Sequence, residues 1–267
     1  MIKLTDEEFI ILVNHIKKEY GIDLSKKRAL IEGRLYNTMI DRKFSSFSQY
    51  TNLLFKDKTG NEAINLINRL STNHTFFMRE PQHFEFIHNS ILPFWEENNK
   101  LRNLNIWSAG CSSGEEAYSI AMTLDDYFGF NRDLWNIKII ATDISMNSLE
   151  KAKRGIYTES NVNNVPELWK KKYFIDNKDG TFKVCDKIRK SVIFKPFNLM
   201  NDFSYQHFDL IFCRNVMIYF DLKTREELIN KFYNVTKKDS FLFVGHAEII
   251  NRSNTKYKYV KPAIYKK

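Results

Sequence analysis

The chain has 267 residues, a formal net charge of +9, 43% hydrophobic and 15% aromatic residues. That length accommodates one large α/β domain and a small second one, and no apolar run approaches the ~18 residues that span a bilayer, which excludes membrane insertion. Three scattered cysteines, Cys111, Cys185 and Cys213, exclude a disulfide framework and a cysteine zinc site, while the positive charge points either to an acidic partner or to a lysine-rich surface.

The first 71 residues form an all-helical unit by pattern. Thr5-Asp-Glu-Glu8 is a capping box. Phe9, Leu12, Val13 and Ile16 then line one helix face, and Gly21 stops it. A second helix is expected from Ser25 to Lys43, with Leu30, Ile31, Leu35 and Met39 on its apolar side. Lys27, Arg34 and Arg42 lie roughly along another face. That basic helix suits either docking or plain solvation. Shorter helices are expected at Phe47 to Phe55 and Asn61 to Leu70, followed by an aperiodic connector over 72–80.

From residue 81 to 267 the pattern becomes α/β. Pro81 suits the first turn of a helix carrying Phe84, Ile87, Ile91 and Phe94. Strands are expected at Ile106-Trp107, Asn136 to Thr142, Phe208 to Cys213 and Ser240 to Gly245, with helices between them, one at Ser145–Arg154 and another at Leu222–Val235. This alternation predicts an open, mostly parallel, Rossmann-like sheet. Lys256 to Ile264 could add an antiparallel edge hairpin. A β insertion at about 172–195 is expected to turn at Asp179-Gly180.

The stretch Ser108-Ala-Gly-Cys-Ser-Ser-Gly-Glu-Glu116 joins a strand to a helix through a glycine-containing loop, the first half of a nucleotide-binding unit. It lacks the Gly-x-Gly-x-x-Gly spacing and ends in Glu115 and Glu116, which a phosphate site would avoid. A positively charged cofactor fits better, and S-adenosylmethionine is the candidate. Other polar residues also fall at strand carboxyl ends: Asp143, placed to accept hydrogen bonds from ribose hydroxyls; Asn198-Leu199; and Arg214 to Tyr219. Each has a plainer role when taken alone, as helix cap, turn or core residue. Their shared position at strand ends favours ligand binding.

Thr72-Asn-x-Thr75, Arg79-Glu80, Ser108 to Ala121, Ala141-Thr-Asp-Ile144, Phe197-Asn-Leu199, Cys213 to Phe220 and Gly245-His246 with Glu248 resemble the CheR-type chemotaxis receptor glutamate methyltransferases along nearly the whole chain. The resemblance implies an S-adenosylmethionine methyltransferase sheet with a β insertion behind an all-α N-terminal domain. It implies methyl transfer from S-adenosylmethionine to receptor glutamates, leaving S-adenosylhomocysteine. By the same resemblance Asn73, Thr75, Arg79 and Gly110 border the cofactor, Glu115 meets its ammonium and Asp143 its ribose. Asn198, Leu199, Asn215 and Val216 surround the rest, and Arg79 and Tyr219 lie nearest the methyl. Lys27, Arg34 and Arg42 then become a docking surface for acidic receptor helices. Met78 and Ala247 depart from the family pattern, at positions without an assigned chemical role.

No Ser-His-Asp or Cys-His arrangement and no metal cluster is visible in the sequence, and none of the six histidines is expected to be catalytic. A glutamate acceptor, with a pKa of about 4.3, needs no general base. The rival readings are an RNA methyltransferase, which would want an Asn/Asp-Pro-Pro-Tyr or cysteine motif that the chain lacks, and a non-catalytic cofactor-binding module. A cytoplasmic monomer that binds receptor helices, and neither nucleic acid nor membrane, is expected; Met1 to Glu8 carry no signal-peptide core.

Overall fold

The computed structural model describes residues 2–70, 74–203 and 207–267. By contacts the chain divides into Met1–His74 with Tyr219–Arg225, and Thr75–Ile218 with Glu226–Lys267.

In the first unit α1 (Asp6–Tyr20) starts at the capping box: the Glu8 N–H donates to Thr5 Oγ1 at 3.2 Å and the Thr5 N–H to Glu8 Oε2 at 2.9 Å. Gly21 ends α1 in the left-handed region, φ 72°, and donates its N–H to the Lys17 carbonyl. The second helix, α2 (Arg28–Asp41), is shorter than the pattern suggests. Asp23 draws the Ser25 N–H into a turn before it, and Lys43, at φ 55°, closes it as Phe44 N–H reaches the Met39 carbonyl. Next come α3 (Phe47–Lys56) and α4 (Asn61–Leu70). The second oxygen of Glu8 accepts the Ser48 N–H at 2.6 Å and its hydroxyl at 2.7 Å, at the start of α3. Leu12, Ile16, Ile31, Leu35, Met39 and Phe47 are wholly buried. Segment 219–225 joins this unit through an Ile22–Phe220 bridge, the Asp23 N–H on the Tyr219 carbonyl at 2.8 Å, and a Lys17–Asp221 ion pair at 2.6 Å.

The second unit opens with α5 (Gln82–Phe86), a π-turn over Ile87–Ile91, and α6 (Leu92–Asn98). Pro93 has no N–H to donate, and the wider turn lets Leu92 N–H reach the Ile87 carbonyl. The extra residue shifts the helix phase, so Trp95 faces the core and Phe94, assigned to that face by spacing, is 42% exposed.

Strand β1 (Asn103–Ala109) leads through a tight loop to α7 (Glu115–Phe128), and β2 (Asn136–Asp143) to α8 (Met146–Arg154), which Ser145 caps. Strand β3 (Ile156–Thr158) precedes the short α9 (Glu159–Val162) and α10 (Glu167–Tyr173). Next, β4 (Phe174–Asp176) and β5 (Thr181–Val184) form a hairpin around Asp179-Gly180, and β3 completes a three-stranded antiparallel sheet in the order β3-β5-β4. After α11 (Asp186–Lys190), β6 (Val192–Pro196) pairs parallel with β2. The small sheet therefore takes β3 from before the expected insertion, and β6, expected within the insertion, belongs to the main sheet.

The main sheet continues with β7 (Phe208–Cys213), α12 (Leu222–Val235), β8 (Thr236–Val244), β9 (Lys258–Lys261) and β10 (Ile264–Lys266), in the order β6-β2-β1-β7-β8-β10-β9. Five strands are parallel, and β9 and β10 add the antiparallel edge. The chain winds from β1 outward through β2 to β6, then returns to β7 on the other side of β1. That reversal opens a crevice at the carboxyl ends of β1 and β7.

Candidate cofactor site

The loop after β1 is folded back onto β2. The N–H groups of Gly110 and Cys111 both donate to the Thr142 carbonyl, at 2.8 and 2.9 Å, and the Ser112 N–H donates to Asp143 Oδ2 at 2.8 Å. Gly110 has φ 83°, and a Cβ there would lie 2.3 Å from Val216 Cγ2, so only glycine admits the loop after β7 at this distance.

Asp143 sits at the end of β2. Its other oxygen accepts the Ser145 N–H at 2.8 Å, and its carbonyl accepts the Phe197 N–H at 3.0 Å, which brings Asn198 and Leu199 alongside. Burial pushes the Asp143 carboxyl above its ordinary range, against the backbone N–H groups that favour the anion. Glu115, at the start of α7, is 1% exposed and likewise pushed up by burial. Its partners are neutral: the Ser113 hydroxyl at 2.8 Å and the Asn161 amide at 3.2 Å. Buried Glu115 and half-buried Asp143, hydrogen-bonded by neutral donors with Lys151 a lesser influence on Glu115, suit a cationic ligand that offsets the cost of their charge.

Asn161, in α9, also donates to the Thr75 carbonyl at 3.2 Å and accepts the Phe77 N–H at 3.0 Å. Phe77 is wholly buried, edge-on to Tyr157 and Phe174 at 4.8 and 5.0 Å between ring centroids. Burying such a ring contributes roughly 2–3 kcal/mol, enough to hold the connector on the small sheet. The Met78 N–H donates to Ser119 Oγ at 3.0 Å, and the Arg79 carbonyl accepts from Arg214 Nη2. Arg79 is flanked by Met78 and Glu80, both at positive φ, and its guanidinium lies 6.0 Å from the Phe76 ring centroid.

Arg214 organises the floor of the crevice. Its side chain is buried and pairs with Glu80 at 3.2 Å and Glu116 at 3.6 Å. Glu116 also accepts the Ser108 hydroxyl at 2.6 Å, so it is bound within the protein. Asn215 stands at φ 60°, held there by Glu248, whose carboxylate accepts the N–H groups of Asn215, Met217 and Gly245 at 2.6–2.7 Å.

Gly110 and Val216 thus meet directly, Asp143 adjoins Asn198 and Leu199, and Thr75 is tied to Glu115 through Asn161. Arg79 is reached through Arg214, which neighbours Asn215. Asn73 lies outside the described residues, and Tyr219 is a residue of the first unit. Lys27, Arg34 and Arg42 are exposed there, with Arg42 paired to Glu62 at 2.7 Å. Asn161, Ser113, Glu80 and the roles of Arg214 and Glu248 were not assigned from sequence. Glu80, Arg214 and Glu248 fall within family-like motifs of the sequence, whereas Asn161 carries no sequence signal.

A parallel sheet with a switch-point crevice, a glycine loop that ends in a buried glutamate, and an aspartate at the end of the second strand define a Rossmann-like S-adenosylmethionine methyltransferase. Residues 73–265 match the family model described as "CheR methyltransferase, SAM binding domain", and residues 7–71 match "CheR methyltransferase, all-alpha domain". The chain is 47% identical to the "Chemotaxis protein methyltransferase" of Borreliella burgdorferi, with 100% of this chain and 96% of that protein covered. It is 36% identical to the Escherichia coli protein of the same name, covering 92% and 85% of the two chains. Identity to "Chemotaxis protein methyltransferase 2" of Vibrio cholerae is 34%, over 94% and 88%. The chain belongs to the CheR methyltransferase family, with S-adenosylmethionine as cofactor. This disfavours the RNA-directed and non-catalytic readings. No helix among the described residues is long and apolar enough to cross a membrane.

Proposed function

We propose that the chain esterifies glutamate side chains on the cytoplasmic helices of chemoreceptors, working as a cytoplasmic monomer. The observation that carries this reading is the pair of carboxylates, buried Glu115 and half-buried Asp143, held by neutral donors at the crevice of a CheR-family sheet. Bound S-adenosylmethionine supplies a methyl group activated on a sulfonium. Glu115 binds the cofactor's ammonium and Asp143 its ribose hydroxyls. Thr75, Gly110, Asn198, Leu199, Asn215 and Val216 enclose the remainder, and Asn73 is assigned there from the resemblance alone.

The acceptor carboxylate is ionised at neutral pH, so the protein has no proton to remove. Its contribution is alignment and partial exclusion of water while opposite charges are neutralised. Arg79 steers the incoming carboxylate; a wall role for Tyr219 rests on the resemblance alone. Lys27, Arg34 and Arg42 attract acidic receptor helices, an effect on encounter more than on chemistry.

The test is incubation with methyl-labelled S-adenosylmethionine and either receptor cytoplasmic fragments or total RNA. Base-labile label on receptor protein is the expected result. Label in RNA, or base-stable label on protein, would overturn the ester assignment. Arg79→Ala should slow single-turnover methylation at unchanged cofactor affinity, and raised salt should weaken apparent receptor affinity.

A further inference from the structure

His83 has no role in the methyltransferase reading. It is 1% exposed, and neither ring nitrogen has a hydrogen-bond partner. An imidazole so placed is costly unless something fills its coordination. Its Nδ1 lies 3.6 Å from Glu80 Oε2, its ring centroid is 5.2 Å from that of His246, and one ligand atom from each of the three residues falls within 4.8 Å of the others. A cavity of about 430 Å3, lined by Gln82, His83, Glu85, His246 and Lys261 among others, borders the cluster.

We propose that Glu80, His83 and His246 bind a divalent first-row transition cation, Zn2+ foremost, with water completing the coordination. Two imidazoles and one carboxylate are a familiar zinc set with an open fourth position. Neutral imidazole is the ligating form of histidine. Ligand atoms around a tetrahedral zinc sit about 3.3 Å apart, given bonds of about 2.0–2.1 Å. From separations of up to 4.8 Å the cluster must therefore contract, with Glu80 sharing an oxygen now held by Arg214 or the His246 N–H, and the exposed His246 side chain can swing to do so. Glu80 supplies a carboxylate at the cluster, also paired with Arg214 at 3.2 Å.

The site does not depend on the acceptor of the methyl group, and its test reads binding alone. Untagged, chelator-stripped full-length protein is titrated with Co2+, following d–d absorption, and with Zn2+ against a chromophoric chelator. One equivalent is expected with a Kd of ~10 μM or tighter, weakened at least tenfold by His83→Gln and by His246→Ala and unaffected by His88→Ala or by excess Mg2+. If His83→Gln fails to fold, the exposed His246→Ala decides. Absence of saturable one-equivalent binding, or unchanged affinity in His246→Ala, would overturn the proposal.

Discussion

The Asn161 side-chain amide holds the Glu115 carboxylate at 3.2 Å while also gripping the Thr75 carbonyl at 3.2 Å. One neutral side chain from the small sheet's surroundings therefore fixes both the Glu115 carboxylate and the start of the connector. Asn161→Ala should weaken S-adenosylmethionine binding by about 1–2 kcal/mol, roughly 5–30-fold. Calorimetric titration measures this directly, and a change below twofold would mean the bridge does not set affinity.

Glu248→Gln should destabilise the fold by about 2–4 kcal/mol, because a carboxylate accepting three backbone N–H groups becomes an amide that turns a donor toward donors. Urea unfolding would report the loss as a lower midpoint at unchanged slope. An unchanged midpoint would remove Glu248 as the organiser of the loop after β7.

Gly110→Ala should both destabilise the protein and reduce cofactor affinity, at a cost of about 2–4 kcal/mol, since the new Cβ meets Val216 at 2.3 Å in a backbone region alanine disfavours. Adding Val216→Ala relieves the clash but not the φ of 83°. The double variant should therefore recover part of the lost stability in thermal melts. No recovery would place the entire cost on backbone conformation.

Cofactor binding should strengthen as pH rises. Glu115 and Asp143 are held above their ordinary values by burial, so the stability each contributes is present below the unfolded value and is lost as pH rises through the folded one. An ammonium-bearing ligand favours the ionised form and reverses that preference. Affinity should then climb as pH rises through the carboxylate range and level off once both groups are ionised in the free protein. Dissociation constants measured between about pH 5 and 8 would show the slope, and Glu115→Gln should flatten it. A flat wild-type profile would argue against an ammonium contact.

Elements bounded by local chemistry were legible in the sequence. Thr5, Gly21 and Ser145 mark helix ends through their own hydrogen bonds or left-handed backbone, and they do so in the structure. The residues of Val192–Pro196 are compatible with either sheet, and only pairing with distant β2 decides. The same holds for the site. Gly110, Glu115 and Asp143 follow from position at strand ends, whereas the Arg214–Glu80–Glu116 network spans up to 134 residues of sequence and has no local signature. His83 and His246 are likewise unremarkable singly and become a cluster only once β8 is folded beside α5.

Glu8 serves two helix starts with one carboxylate: one oxygen closes the box at α1, and the other takes the Ser48 N–H and hydroxyl at the head of α3. The head of α3 thus leans on a side chain that also closes the cap of α1, although 40 residues separate the two partners of this contact. Loss of the Glu8 carboxylate would therefore remove hydrogen bonds from both helix starts at once.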